Sequence, residues 1–379
     1  MFYFYQNIRT DMNKASISFC FCALLCLSMT FTSCVKNHIQ DEEPFSILTD
    51  HRKELLEAAA DSVFAAVSTP GMMALITVEG EGSYLIKRGV ANVVTDEPMN
   101  VNSSFRIASN TKPFTGTAVL ILADEGKISL DSSISHYLPE YDIPNGNLIT
   151  VRMLGNMTSG LFNYTDDPYL WASLYESNYT RSFTPDSLLA LSFRHPVKFP
   201  PGAMFDYCNT NTVLLGLLLE KVTGKTAKQV IEEKVIRPLN LKYTYWPASV
   251  FLPSPYIHGY TQAYGELSDA TNWNPSWGFT AGALVSNIPD LTVWVKALGE
   301  GKLLSEQMKA ERFTWVMDHY GFCIMKAGDW VGHPGTMFGY NSHAFYNPGK
   351  KTSLIILTNM DTGTPVEAFS EAFRHILDH

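Results

Sequence analysis

The sequence predicts a mixed fold of α/β (α+β) class, in which an antiparallel sheet built from both chain ends is flanked by helices, plus a mostly helical lobe. Three observations predict it. Short apolar runs separated by turn residues fall towards both ends of the chain; from Asp131 to about Pro255 helical stretches alternate with Pro, Gly, Asn and Asp loops; and sustained strand alternation is missing from that middle part. With 46% hydrophobic and 17% charged residues among 379, the chain can bury a large core and is neither fibrous nor disordered. Residues 49–379 are therefore expected to form a single unit, with 49–130 and 275–379 in the α/β part and about 131–274 in the helical lobe.

The amino end reads as a targeting segment. Ser16 to Thr32 are almost entirely apolar or small, Arg9 and Lys14 lie before them, and Thr32-Ser33-Cys34 closes the run. Residues 1–33 are expected to be a lipoprotein-type signal peptide, with Cys34 the lipidated first residue of the mature protein and 34–48 a polar linker. Phe31 stands where such signals usually carry Leu, Val or Ile, and Met12 offers a more ordinary start than Met1. The expected location is extracytoplasmic, lipid-anchored in a bacterial cell envelope. A formal charge of -9 and a pI near 5.6, with no Lys/Arg stripe, argue against nucleic acid as a partner. Four of the six cysteines lie in the amino-terminal segment, so Cys208 and Cys323 make no disulfide framework and are expected to be free, buried thiols.

Taken in order, His51 to Val67 has apolar positions at helix spacing and is ended by Thr69-Pro70-Gly71. Met73 to Val78 and Tyr84 to Ala91, joined through Glu79-Gly80-Glu81-Gly82, read as an antiparallel hairpin. Phe105 to Ala108 leads into Ser109, and Thr115 to Glu125 continues as an apolar helix stopped by Gly126. Pro113 is tolerated only in a first helical turn, which puts Ser109 at the very start of that helix. Val213 to Val222 and Ala227 to Val235 are helical within the lobe. Beyond Trp277 come a helix at Asp290 to Leu298, strand-like runs at Gly321 to Met325, Trp330 to Gly332, His343 to Tyr346 and Ser353 to Thr358, and a last helix from Val366 to Leu377.

Ser109 and Lys112, three residues apart at a helix start, lie on one face, so the ammonium can reach the hydroxyl. Taken singly Ser109 would be a helix cap, and Ser33-Cys34-Val35-Lys36 copies the spacing by chance. Its context decides. Phe199 to Asn209 carries a Pro-Gly turn followed by Tyr207-Cys208-Asn209, and Gly332-His333-Pro334-Gly335 lies in the carboxy-terminal strand region. Among the three motifs stand Met153 to Leu161, between Ser109 and the Pro-Gly turn, and Leu215 to Lys225 and Ala281-Gly282-Ala283-Leu284-Val285-Ser286, between Asn209 and Gly332. In order and flanks these segments resemble the class C β-lactamase and D-alanyl-D-alanine carboxypeptidase superfamily of serine hydrolases, over about Phe64 to Asn359. Tyr5-Gln6-Asn7 and His319-Tyr320-Gly321 copy the second and third motifs without the flanks. Gly224-Lys225-Thr226 invites a phosphate-loop reading, but Leu219 occupies the place of the first glycine. No zinc spacing is present among the histidines, and no metal or cofactor is expected.

The resemblance implies a β-lactamase/transpeptidase-like fold and an acyl-enzyme on Ser109, formed from an amide or ester bond of a D-alanyl peptide, ester or β-lactam type substrate. It makes Lys112 and Tyr207 the proton-handling partners, with either as the general base. A neutral lysine at pH 7 would cost roughly 4 to 5 kcal/mol in water, most of which burial can remove. The amides of Ser109 and Thr336 are implied as oxyanion donors. Asn209, His333 and Gly335 are implied at the substrate, with Asn209 also helping to position Lys112. His333 stands where β-lactamases of this class carry lysine. It is expected to grip a substrate carboxylate only near or below pH 6.5, which favours peptidase-like or ester substrates. An acyltransferase using the same residues, and a penicillin-binding sensor that acylates without turnover, are the alternatives.

Overall fold

The computed structural model describes residues 46–363 and 365–379; the expected signal segment, Cys34 and most of the linker lie outside them. Residues 47–379 form one compact unit. Its centre is an eight-stranded antiparallel sheet contributed by both ends of that unit. The strands are β1 (Gly71–Val78), β2 (Gly82–Asn92), β3 (Glu97–Pro98), β4 (Tyr320–Gly321), β5 (Ile324–Ala327), β6 (Trp330–Met337), β7 (Tyr340–Asn347) and β8 (Thr352–Thr358). Their spatial order is β3-β2-β1-β8-β7-β6-β5-β4, so the two halves meet where β1 pairs with β8, from Met72 opposite Thr358 to Val78 opposite Thr352.

Side chains alternate between two cores because successive residues of a strand face opposite ways. Leu354 and Ile356 of β8 enter one cluster, Ile355 and Leu357 the other. Both faces of this central strand are covered, which is why Ser353-Leu354-Ile355-Ile356-Leu357 is an apolar run with little alternation. The smaller core lies under helix α1 (Asp50–Ala66) and the last helix of the chain, Pro365–Asp378. The latter buries Val366, Phe369, Phe373 and Leu377, one stripe at helical spacing.

The larger core joins the other sheet face to the helical lobe. Helix α2 (Thr111–Asp124) runs through it and is buried from Thr111 to Leu120, matching a segment with no polar face. Helix α3 (Asn209–Thr223) packs beside it and ends on Gly224 at φ 68°, a left-handed cap that glycine adopts without strain. Around these two, short helices at Ile134–Tyr137, Val151–Gly155, Pro168–Glu176, Pro185–Phe193 and Ala227–Ile231 fill residues 131–274, together with a two-stranded ribbon of Tyr260–Thr261 and Ser268–Asp269. Cys208 and Cys323 are free and buried.

Candidate active site

Ser109 sits in a single 3-10 turn, Ala108–Asn110, one step before α2 begins at Thr111, with Pro113 inside the first α-helical turn. The turn is held from two sides. Asn110 Nδ2 donates to Ser342 Oγ at 2.8 Å, and that hydroxyl donates to the carbonyl of Ile107 at 2.8 Å, tying the turn to β7. Ile107 N donates to Leu284 O at 3.1 Å, and Leu284 N donates to Thr111 Oγ1 at 3.1 Å. Ala108, directly before the serine, has φ 48°, a left-handed conformation that costs a non-glycine residue energy and persists where surrounding contacts enforce it.

Lys112 Nζ lies 2.9 Å from Ser109 Oγ and donates to the carbonyl of Ala281 at 2.8 Å. Its side chain is fully buried. Loss of solvent, weakly opposed by the thiols of Cys323 and Cys208, brings its pKa down from 10.5 to about 7. Burial pushes the Cys323 thiol up to about 12, so at neutral pH this neighbour is uncharged and its opposition to the shift is weak. Ser109 therefore faces an amine that is substantially unprotonated at neutral pH.

Tyr207 lies against this amine, with Lys112 Nζ 5.0 Å from its ring centroid. Asn209, at the first position of α3, has its amide N bonded to Asn163 Oδ1 at 3.0 Å and its Nδ2 bonded to Thr165 Oγ1 at 3.1 Å. The expected support of Lys112 by Asn209 is thus replaced by the backbone carbonyl of Ala281, and Asn209 is anchored to the lobe instead.

On the other side of Ser109 runs β6. A Cβ placed on Gly335 would lie 2.3 Å from Ile107 O, 2.7 Å from Ser342 Oγ and 2.9 Å from Ser109 N, so only glycine lets this strand approach the serine amide. The next residue, Thr336, is exposed and hydrogen-bonds Asn341 Oδ1 through Oγ1 at 2.5 Å. On β6, β5 pairs with Trp330–Gly332, and among the described residues no strand continues that edge beyond Gly332.

His333 corrects one expectation. It is 1% exposed, with Nε2 3.2 Å from Tyr320 OH and Nδ1 2.5 Å from the carbonyl of Pro334. Burial first, then the positive charge of Lys112, takes its pKa down to about 3. It is a neutral ring behind Tyr207, their centroids 6.0 Å apart, and not a cation offered to a carboxylate. Tyr320 belongs to the motif copy His319-Tyr320-Gly321 and carried no functional signal in the sequence; neither did the carbonyl of Ala281.

An aromatic cluster links the residue that anchors Asn209 to the end of β6. Trp171 Nε1 donates to Thr165 O at 2.8 Å, on the residue whose hydroxyl holds Asn209. Its ring packs on Trp277 and on Phe338, which follows Met337 at the end of β6. Tyr179 stacks on Trp273 at 3.4 Å, and both rings also meet Phe338.

Residues 56–377 match the family model described as Beta-lactamase. The chain belongs to the beta-lactamase family. Among solved structures it is similar to a D-stereospecific amidohydrolase from Streptomyces sp., with 31% identity, a TM-score of 0.76, and coverage of 85% of this chain and 97% of that one. It is also similar to the D-amino acid amidase from Ochrobactrum anthropi SV3, with 26% identity, a TM-score of 0.74, and coverage of 86% and 99%. Protein flp of Staphylococcus aureus (strain MW2) is 24% identical over 333 residues, which are 83% of this chain. The chain spans 64% of the length of that relative.

Proposed function

We propose that this member of the beta-lactamase family is a serine amidohydrolase that forms an acyl-enzyme on Ser109 and passes the acyl group to water. The observation that carries this reading is the 2.9 Å contact between Ser109 Oγ and a fully buried Lys112 whose pKa lies at about 7. In the first step Ser109 Oγ attacks the substrate carbonyl as its proton passes to Lys112. The oxyanion is received by the amides of Ser109 and Thr336, across the gap that Gly335 keeps narrow. Collapse of the tetrahedral intermediate expels the amine, protonated by the Lys112/Tyr207 unit. Water then enters, the same unit takes its proton as the water oxygen attacks the ester carbonyl, and the proton is passed to Ser109 Oγ as that oxygen leaves, releasing the acid and restoring the free amine.

The substrate reading is an amide of a D-amino acid or D-amino-acid-terminated peptide with an apolar or aromatic side chain. Two supports meet here: the amidohydrolase and amidase named above act on D-configured substrates according to their names, and the cluster of Trp171, Tyr179, Trp273, Trp277 and Phe338 offers aromatic surface beside Asn209. Lipid anchoring through Cys34 on the outer side of a bacterial membrane belongs to the same proposal, and intact mass of the envelope-bound protein tests it.

The decisive experiment compares D- and L-phenylalanine amide, D-alanyl peptides, acyl esters and a chromogenic cephalosporin, with intact mass to follow the adduct. Turnover of the D-amide above its L-isomer is expected, with no adduct in Ser109→Ala. Faster turnover of esters or the cephalosporin than of any amide would overturn the substrate reading. Labelling of wild type undiminished in Ser109→Ala would overturn the mechanism.

A further inference from the structure

A cavity of about 400 Å³ opens in the lobe between the segment 228–246 and Leu284. Its walls include Tyr245, Trp246 and the buried Leu284, and its rim carries Lys228, Arg237 and Lys242. Arg237 bonds Glu232 at 3.2 Å, the one carboxylate of the lining; Lys228 and Lys242 have no carboxylate within ion-pair distance among the described residues. A net positive mouth over an apolar floor, in a chain of formal charge -9, selects an anion joined to an apolar body.

The cavity is also wired to the nucleophile's backbone. Tyr245 exchanges two main-chain hydrogen bonds with Val285, at 2.9 and 3.0 Å. Leu284 accepts from Ile107 N and donates to Thr111 Oγ1, the residues on either side of the Ala108–Asn110 turn. Trp246 packs edge-on against Phe279, 5.5 Å between centroids. Phe279 has φ 35° and opens the turn that ends in Gly282 and presents Ala281 O to Lys112. A ligand pressing on Trp246 and Leu284 therefore acts on both attachments of the catalytic pair, through contacts that pack too closely to deform smoothly.

We propose that this cavity binds a single-chain amphiphile with an anionic head, a carboxylate on a hydrocarbon body, and that its occupancy changes the rate of acylation of Ser109. The rate effect rests on the serine-hydrolase reading; the binding does not. Calorimetric titration of the Ser109→Ala protein with laurate, below its micelle concentration, reads binding alone. One saturable site is expected, weakened by about tenfold or more in Lys228→Glu/Lys242→Glu and not competed by dodecyltrimethylammonium. If that double variant does not fold, judged by circular dichroism, Lys242→Gln at an exposed position carries the comparison. No saturable binding, undiminished affinity in the charge variants, or equal competition by the cation overturns the site. In the Ser109 protein, saturating laurate is expected to change the acylation rate at least about twofold. Binding with an unchanged rate overturns the coupling, whereas acylation by no substrate at all sinks the reaction reading and leaves the binding result standing.

Discussion

Replacing Lys112 by methionine separates its chemical role from its energetic one. The side chain is fully buried and its pKa falls from 10.5 to about 7, with desolvation the leading cause. At about 1.36 kcal/mol per pH unit, that fall means the folded state opposes the ammonium by about 5 kcal/mol. The unfolded chain holds the proton up to pH 10.5 and the folded chain releases it near 7, so between those values the unfolded state binds more protons and stability rises with pH. Below pH 7 the full penalty applies; by pH 9 about 2 kcal/mol remains. Methionine fills a similar volume without charge. Urea unfolding at pH 6 and pH 9 should therefore show Lys112→Met gaining on the wild type at pH 6, by roughly 3 kcal/mol more than at pH 9, while acylation of Ser109 is lost. Parallel stability profiles of the two proteins across this range would refute the buried-amine reasoning, whatever happens to activity.

Other consequences can be measured directly. The acylation rate should rise from pH 6 to pH 8 with a single limb near 7, since deprotonation of Lys112 creates the acceptor; stopped-flow labelling at fixed ionic strength reads it. Gly335→Ala should lower kcat/KM by on the order of a hundredfold and destabilise by about 1 to 3 kcal/mol, because the added methyl meets Ile107 O and Ser109 N below 3 Å; steady-state kinetics and thermal melting test both. His333 should show no imidazole titration between pH 5 and 8 by NMR, and its contribution to stability should be lost as pH falls from 6.5 towards 3, since its folded value is the depressed one. Tyr320→Phe, which removes the partner of His333 Nε2, should cost about 1 kcal/mol in denaturant unfolding.

Contacts made by side chains leave a trace in the sequence: Ser109, Lys112 and Tyr207 come together, while Asn209 is held to the lobe by Asn163 and Thr165, and the apolar periods locate α1, α2, α3 and the last helix near their observed bounds. The strand-like run Trp330 to Gly332 is shorter than the observed β6, Trp330–Met337, because Pro334 and Gly335 read as breaks. They are tolerated there because the ladder to β5 stops at Gly332, which leaves an edge where a missing donor costs little. Ala281 acts through its carbonyl, and a backbone carbonyl has no signature in a sequence. Tyr320 lies in a motif copy without the motif's flanks, and its contact with His333 Nε2 at 3.2 Å arises in the folded sheet, where β4 pairs with β5.

The histidine of the third motif shows how such a gap propagates into chemistry. An imidazole in water titrates near 6.5, and from that value His333 reads as a weak anchor for a carboxylate. Its surroundings remove the charge, and one of the causes is Lys112 itself. That coupling is mutual: a cation at position 333 would oppose protonation of Lys112 as Lys112 opposes protonation of the ring. With a neutral imidazole hydrogen-bonded between Tyr320 OH and Pro334 O, the site keeps one titrating amine and a pKa of about 7. A buried ammonium at 333 would press that value lower and widen the pH range of the free base, at the expense of a second desolvated charge in the same core. The departure of this chain at position 333 therefore bears on how Lys112 is poised as a base before it bears on what the substrate carries.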